Sequence, residues 1–375
     1  MNILERMVIN DTYKKIADFK VKQQQPYEFK VAYAETRIWE FIRECGKRDL
    51  NCHVSVGGLD SITLCYFLRS LHIDLPMVSA SSLEDKSIQS VHKQLGVINV
   101  KPIKNKVDVI RQFGYPILSK EIANKISLLQ RPSADNATVR HAIITGETGE
   151  YGGNRKDTRM KLSQCWLELF GGYENENECV DYLKPDFLVS DRCCYYLKEK
   201  PCDDWAKQNN SVPFLGLMAS EGGRRQKSLM MNGCNYFGES TIRSAPFAIF
   251  SRQDILQLAL DLKVPVPSIY GTIERDQSGL LRTTKAQRTG CSMCGFGIQK
   301  ERTRPHRFDL LYQRNPKEWA YWMENVGFGK CFDWIGFKWR QPYLIGESSW
   351  LPKDTMKIVI DARKGYQLSF FGDVI

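Results

Sequence analysis

Two pairs of cysteines have the residue type and spacing to do chemistry. Asp191-Arg192-Cys193-Cys194-Tyr195 carries an adjacent pair, and Arg288-Thr289-Gly290-Cys291-Ser292-Met293-Cys294-Gly295 carries a CxxC pair separated from it by ninety-six residues. A CxxC turn aims two thiolates at one centre, and a second pair completes the four ligands that zinc or an iron–sulfur cluster takes. Zinc sites favour a gap between paired cysteines, so an adjacent pair is an uncommon zinc motif. A third reading has no metal, only a buried CxxC and an unrelated pair. Cys202, eight residues after Cys194, offers an alternative ligand. Of the twelve cysteines, Cys45, Cys52, Cys65, Cys165, Cys179 and Cys234 stand alone in mixed or apolar surroundings and read as small buried hydrophobes.

The second feature is a glycine turn. His53-Val54-Ser55-Val56-Gly57-Gly58-Leu59-Asp60-Ser61-Ile62-Thr63 takes an apolar strand through two glycines into a helix opened by Asp-Ser. Glycines let the backbone turn tightly and approach a ligand closely. The helix start offers unpaired N–H groups and the positive end of the dipole to a phosphate. Asp60 or Ser61 is placed to cap that helix, and an ordinary capped strand–turn–helix is the plainer alternative. Downstream, Phe214-Leu215-Gly216-Leu217-Met218-Ala219 reads as a buried strand running into Ser220-Glu221-Gly222-Gly223-Arg224-Arg225-Gln226. Ligands of parallel sheets sit beyond the carboxyl ends of strands. Arg224 and Arg225 are thus expected to face the same crevice and to grip an oxyanion. A solvated turn with a Glu–Arg pair is the alternative.

These residues need elements to hold them. Residues 31–49 read as a helix with Trp39, Phe41 and Ile42 on its apolar face, 52–56 as a strand and 60–71 as a helix. Residues 77–81 and 97–102 read as further strands around a helix at 88–95. Strands alternating with helices predict an α/β fold with a parallel, doubly wound sheet. Residues 146–161 read as a glycine-rich loop, 162–170 as a helix, 212–219 as a core strand and 252–262 as an amphipathic helix stopped by Val264-Pro265-Val266-Pro267. The tail beyond residue 332 is rich in aromatics and looks strand-like at 357–361 and 366–371. Its run of Trp334, Phe337, Lys338, Trp339, Arg340 and Tyr343 reads as core or a hairpin, with nucleic-acid stacking as the alternative.

Composition bounds the remaining possibilities. The 375 residues are 42% hydrophobic and 26% charged, which excludes a mainly disordered chain. No apolar run reaches the length of a membrane helix, and the N-terminus lacks the basic-then-apolar order of a signal peptide. The expectation is a soluble, cytoplasmic protein with no membrane partner. The net charge of +10 suits an anionic ligand, nucleotide or nucleic acid. Residues 280–309 hold seven Lys or Arg against two Asp or Glu. Arg282, Lys285, Arg288, Lys300, Arg302 and Arg304 among them flank the CxxC, where they would offset a thiolate cluster or bind phosphate.

Both features resemble one family. Gly57-Gly58-Leu59-Asp60-Ser61 is similar to the pyrophosphate-binding PP-loop, SGGxDS, of the adenine nucleotide α-hydrolase-like fold, which includes ATP pyrophosphatases and phosphoadenosine phosphosulfate (PAPS) reductases. Val56 stands at the first serine position, with Ser55 one step earlier, and Leu59 stands where many relatives carry lysine. The CC…CxxC set resembles that of iron–sulfur adenylylsulfate reductases: Lys198 and Pro201 follow the pair as in CC-x-x-x-K-x-x-P, and Gly290-Cys291-Ser292-Met293-Cys294 matches GC-x-x-C. The strand before Arg224 is similar to the family's ITGxR segment. Pro246 to Ile255 resembles P-x-x-x-W-T-x-x-D-I/V, and the segment ending at Tyr270 resembles P-x-x-x-L-Y. The likeness keeps the family's order from about residue 50 to about residue 330 and is nearest to divergent PAPS-reductase-like proteins of phages and mobile elements.

The resemblance implies a Rossmann-like doubly wound sheet with extra helical and C-terminal segments. Its expected layout is an N-terminal extension at 1–30, a PP-loop domain with cluster-binding insertions at 31–330, and an aromatic, basic segment at 331–375. It implies an adenine nucleotide, ATP or a sulfonucleotide, held by Ser55, Gly57, Gly58, Asp60, Ser61, Arg224 and Arg225. It also implies a four-iron four-sulfur (4Fe–4S) cluster, or zinc in its place, on Cys193, Cys194, Cys291 and Cys294. The implied activity is sulfonucleotide reduction or nucleotide-activated sulfur transfer, with a sulfur donor or reductant protein as partner. The family's nucleophilic cysteine lies in an ECGxH-like motif that this chain lacks. Cys331, in Gly329-Lys330-Cys331-Phe332-Asp333, is the one downstream cysteine and the candidate catalytic thiol. Stand-alone sulfonucleotide reduction is therefore expected to be poor. Two other classes compete: a nucleic-acid modification factor resembling the sulfur-inserting subunit of DNA phosphorothioation systems, and a non-catalytic nucleotide sensor.

Overall fold

The computed structural model describes residues 3–172, 182–291 and 293–371, which leaves Cys179 and Ser292 outside. The chain divides into two compact units, one of residues 1–103 and 197–292, the other of residues 104–196 and 293–375. Each has its own hydrophobic core. The division differs from the expected layout. Residues 1–30 belong to the first unit, and residues 331–375 belong to the second, with Phe332, Phe337, Trp339 and Ile360 in its core.

The first unit is mixed α/β around a six-stranded, mostly parallel sheet. Its central strand, β1 (Asn51–Ser55), buries Cys52, His53 and Val54 in succession, the pattern of a strand covered on both faces. On one side β1 pairs in parallel with β2 (Met77–Ser79), which pairs with β3 (Ile98–Asn99). On the other side it pairs in parallel with Ser211–Leu215 over five positions, followed by Ile242–Ser244 and the antiparallel edge Asn235–Phe237. The buried imidazole Nδ1 of His53 lies 2.8 Å from Ser211 Oγ and joins the two central strands.

The helices follow from their apolar spacing. After α1 (Ile3–Gln23), α2 (Tyr27–Lys47) buries Ala34, Ile38, Phe41 and Cys45, one face of a 3.6-residue period. It starts earlier than its apolar stripe suggests, directly after Pro26, because buried Lys30 donates to Asp254 at 2.8 Å. α3 (Leu59–Ser70) is buried almost all round, so its sequence shows little amphipathicity. α4 (Lys86–Leu95) is capped by Asp85, which accepts from Ser87 N at 2.9 Å, and buries Ile88, Val91, His92 and Leu95.

The second unit is mainly helical with an aromatic core. Its tail corrects one expectation: residues 357–371 are not strands but part of a helix, Lys353–Phe371. The β-branched Ile358-Val359-Ile360 run suggested a strand. The burial follows helical spacing instead, with Ile360 in the core, Met356 packed against it and Ile358 69% exposed. The Arg363 guanidinium, 4.4 Å from the Trp334 ring centre, donates to the Trp334 carbonyl at 2.8 Å. Buried Arg304 grips Asp309 through Nε at 3.0 Å and Nη2 at 2.5 Å. Among the described residues no helix is long and apolar enough to cross a membrane.

Candidate functional site

The first unit holds a cavity of about 470 Å³ beyond the carboxyl ends of β1, β2 and Ser211–Leu215. From β1 the chain crosses to β2 on one side, while Ser211–Leu215 lies on the other. The cavity therefore sits where parallel sheets take their ligands. Its floor is the expected glycine turn. Ser55, Gly57, Gly58, Asp60 and Ser61 all line it.

The turn is held by its own first helical turn and by distant side chains. Ser61 Oγ accepts from Gly57 N at 2.7 Å and donates to the Gly58 carbonyl at 2.9 Å. Neither Asp60 nor Ser61 caps α3 as expected, because both lie inside the helix and Gly58 is the capping residue. The N–H of Leu59 instead donates to the hydroxyl of Tyr270 at 3.1 Å, and that hydroxyl lies 2.7 Å from Thr289 Oγ1. His92 Nε2 donates to the Gly57 carbonyl at 2.8 Å while its Nδ1 accepts from Ser81 Oγ at 2.8 Å, which fixes the tautomer. Burial holds the His92 pKa below its ordinary value, so the ring works as a neutral prop.

Two glycines are tied to close approach. A Cβ on Gly58 would clash with the Tyr270 hydroxyl, and one on Gly216 would meet the backbone N and Cα of Ser61 at 2.9 Å. Gly216 thus lets the end of Ser211–Leu215 lie against the start of α3. A Cβ on Gly57, by contrast, would meet Ser61 Oγ at 3.9 Å, an ordinary contact.

Four cations and three carboxylates line the cavity, and they pair with one another. Arg252 bonds Asp60, and Lys198 bonds Glu84. Arg225 Nη1 lies 2.6 Å from both oxygens of Glu221, which Arg288 also approaches at 3.8 Å. Burial pushes the Asp60 carboxyl up, with Arg252 opposing. Burial opposes the charge of Lys198, but Cys291 and Glu84 outweigh it and raise the ammonium pKa. Arg225 is where the sequence placed it, though engaged with Glu221. Arg224 is the second residue of the helix Gly223–Asn232, and its side chain lies outside the described residues. Sequence reasoning gave no ligand role to Glu84, His92, Gly216, Arg252 or Tyr270. Only Gly216 and Tyr270 carried a local signal, a glycine at a strand end and a tyrosine after a proline-rich stop.

The cysteines are distributed differently. Cys291 belongs to the first unit, and Cys193, Cys194 and Cys294 belong to the second. Within the second unit the two cysteine segments flank one stretch of chain: Tyr115 bridges to Val189, and Ile117 and Leu118 pair with Gly295 and Phe296. Cys193 and Cys194 end a helical turn that continues as a π-turn, Tyr195–Glu199, and Met293 in the CxxC has φ +49°. Thiolates are the right donors for iron or zinc. As placed, however, no three His, Cys, Asp or Glu side chains among the described residues converge into a ligand set. Cys202 lines the cavity of the first unit, and burial pushes its thiol up to about 11.

Cys331, the catalytic candidate, lies away from any surface. It is fully buried in the helix Phe328–Ile335. Burial raises its thiol well above the ordinary value, although Lys330 opposes this. The Lys330 ammonium pairs with Asp186. A nucleophilic cysteine needs an accessible thiolate. The aromatic run around it is also core: Phe337 and Trp339 are buried, and Trp334 Nε1 donates to the Leu169 carbonyl at 3.1 Å.

No protein-family model matches the chain, and no curated protein sequence matches it.

Proposed function

We propose that the first unit binds an adenine nucleotide, with its phosphates on the 57–61 turn and Arg225, Arg252 and Lys198 around them. The observation that carries this reading is the glycine turn at the start of α3, opening into a cavity beyond parallel strands that is lined by four cations. Helix-start amides and the dipole attract phosphate, and an arriving phosphate can take over cations now shared with Glu84, Asp60 and Glu221. ATP and a sulfonucleotide both fit this chemistry.

Doubly wound, Rossmann-like topology is part of the same proposal. So is membership of the PAPS-reductase-like group, with sulfonucleotide reduction or nucleotide-activated sulfur transfer as its activity. The support is the order of motifs along the chain. A 4Fe–4S cluster on Cys193, Cys194, Cys291 and Cys294, with zinc as the alternative, rests on the cysteine spacing alone. The burial of Cys331 favours sulfur transfer with a separate donor or reductant protein over stand-alone reduction.

Calorimetry with ATP and with adenylylsulfate tests the nucleotide reading. Gly58→Leu is expected to abolish binding while circular dichroism shows the fold retained. Unchanged affinity in that variant would sink the reading.

A further inference from the structure

Elsewhere in the first unit, three cations from separate parts of the chain meet around Tyr33 and Cys234. Lys22, in the last turn of α1, places its ammonium 5.5 Å from the centre of the Tyr33 ring, and the Arg37 guanidinium of α2 lies 5.0 Å from the same ring. Arg243, on the strand Ile242–Ser244, donates through Nη2 to Ser228 Oγ at 3.0 Å and lies 5.9 Å from the Tyr236 ring. Cys234, buried and hydrogen-bonded to Tyr33, feels the positive charge of all three.

The balance of this group is incomplete. Among the described residues one carboxylate, Glu40, pairs with a member of this group, bonding Arg37 Nη2 at 2.5 Å. Arg37 Nε and Arg243 Nη1 are both shut off from solvent with no hydrogen-bond acceptor. Ring stacking uses the face of a guanidinium and leaves its N–H edge unsatisfied. A buried donor without an acceptor costs about 1–3 kcal/mol, and more when charged. Two such atoms beside a third cation mark a place for an anion. Arg37 keeps 29% of its side chain exposed, which brings the edge of the group to the surface. Phe29, 43% exposed, stacks on Tyr33 at 6.0 Å and gives the opening an aromatic rim.

We infer that Lys22, Arg37 and Arg243 form a binding site for a phosphate group, separate from the 57–61 turn. Two orphaned donors and an excess of two positive charges fit a tetrahedral oxyanion, which accepts several hydrogen bonds at once. The phosphate is either a free one or a phosphodiester of a nucleic-acid strand, and the inference does not depend on the nucleotide reading above.

The test titrates the full-length protein with inorganic phosphate in one arm and with a short single-stranded oligonucleotide in the other. Calorimetry and fluorescence anisotropy provide the readouts. Saturable binding of at least one probe is expected, weakened by about tenfold or more in both Arg37→Gln and Arg243→Gln. Arg225→Gln separates any phosphate bound in the 57–61 cavity, and it should leave binding at this site in place. Oligonucleotide binding without inorganic phosphate binding assigns a nucleic-acid strand; the reverse assigns a free phosphate. Lys22→Gln, on a half-exposed helix face, provides a third variant if either arginine change impairs folding, with the same loss expected. No binding of either probe, or binding that the variants leave unchanged, would overturn the inference.

Discussion

The hydroxyl of Tyr270 occupies the hydrogen-bonding position of the Leu59 amide, the first N–H of α3 that a phosphate oxygen would seek. One orphan donor of the helix start is already satisfied, by a side chain more than two hundred residues away in sequence. A phosphate at this turn must displace the hydroxyl or share it. Tyr270→Phe is therefore expected to lower unfolding stability by about 1 kcal/mol and to tighten nucleotide binding. Urea denaturation and calorimetry check the two effects, and weaker binding in the variant would contradict the competition.

The two neighbouring glycines make a contrast. Gly216→Ala forces a methyl group onto the backbone of Ser61, whereas Gly57→Ala adds one that only touches Ser61 Oγ at ordinary contact distance. The first should lose nucleotide affinity by about tenfold or more, through displacement of the start of α3, and the second should lose little. Equal effects in both would show that crowding is not the cause.

His53 makes stability depend on pH. Burial lowers its pKa to about 4, against roughly 6.5 for an exposed ring in the unfolded chain. Between those values the unfolded chain binds a proton that the folded one refuses. Stability is thus full above about pH 6.5 and declines as pH falls toward 4. The loss is on the order of 3 kcal/mol. His53→Gln should flatten this part of the curve of urea midpoint against pH, and an unchanged slope would remove His53 as its source.

Iron and zinc content decide the role of the cysteine pairs. Anaerobic reconstitution should give a coloured protein, and Cys194→Ser and Cys294→Ser should each abolish the colour. A colourless, iron-free product refutes the cluster, and stoichiometric zinc identifies the alternative.

Cys331 should resist iodoacetamide in the native protein and react only on unfolding. Sulfite release from adenylylsulfate with thioredoxin as reductant should be weak, and Cys331→Ser should not alter it. Robust turnover lost in that variant would restore Cys331 as the nucleophile.

The parts of the site that the sequence made legible are the local ones. The 57–61 turn could be read because glycine flexibility and a helix start act within a few residues. Arg225 could be read because it follows a buried strand. His92 could not, since on α4 it occupies an ordinary core position and its contact with Gly57 depends on how that helix lies. Glu84 and Arg252 needed their partners Lys198 and Asp60 to acquire meaning. The parallel sheet was legible from alternating elements. The division into two units was not, because it depends on pairings between distant segments, such as Ile117 with Gly295. The strand reading of the tail failed where β-branched residues lie on a helix whose packing outweighs their propensity.

The central place of β1 also sets an order of assembly. Its pairing with β2 can form as soon as the first hundred residues have left the ribosome. Its longer pairing, with Ser211–Leu215, must wait for a segment made much later, after residues 104–196 of the other unit have emerged. Until then the strand destined for the middle of the sheet is an edge strand whose N–H and C=O groups on that side are unpaired, open to strand addition from other chains. Nascent chains halted between residues 104 and 210 should therefore be the most prone to aggregate and the most dependent on chaperones.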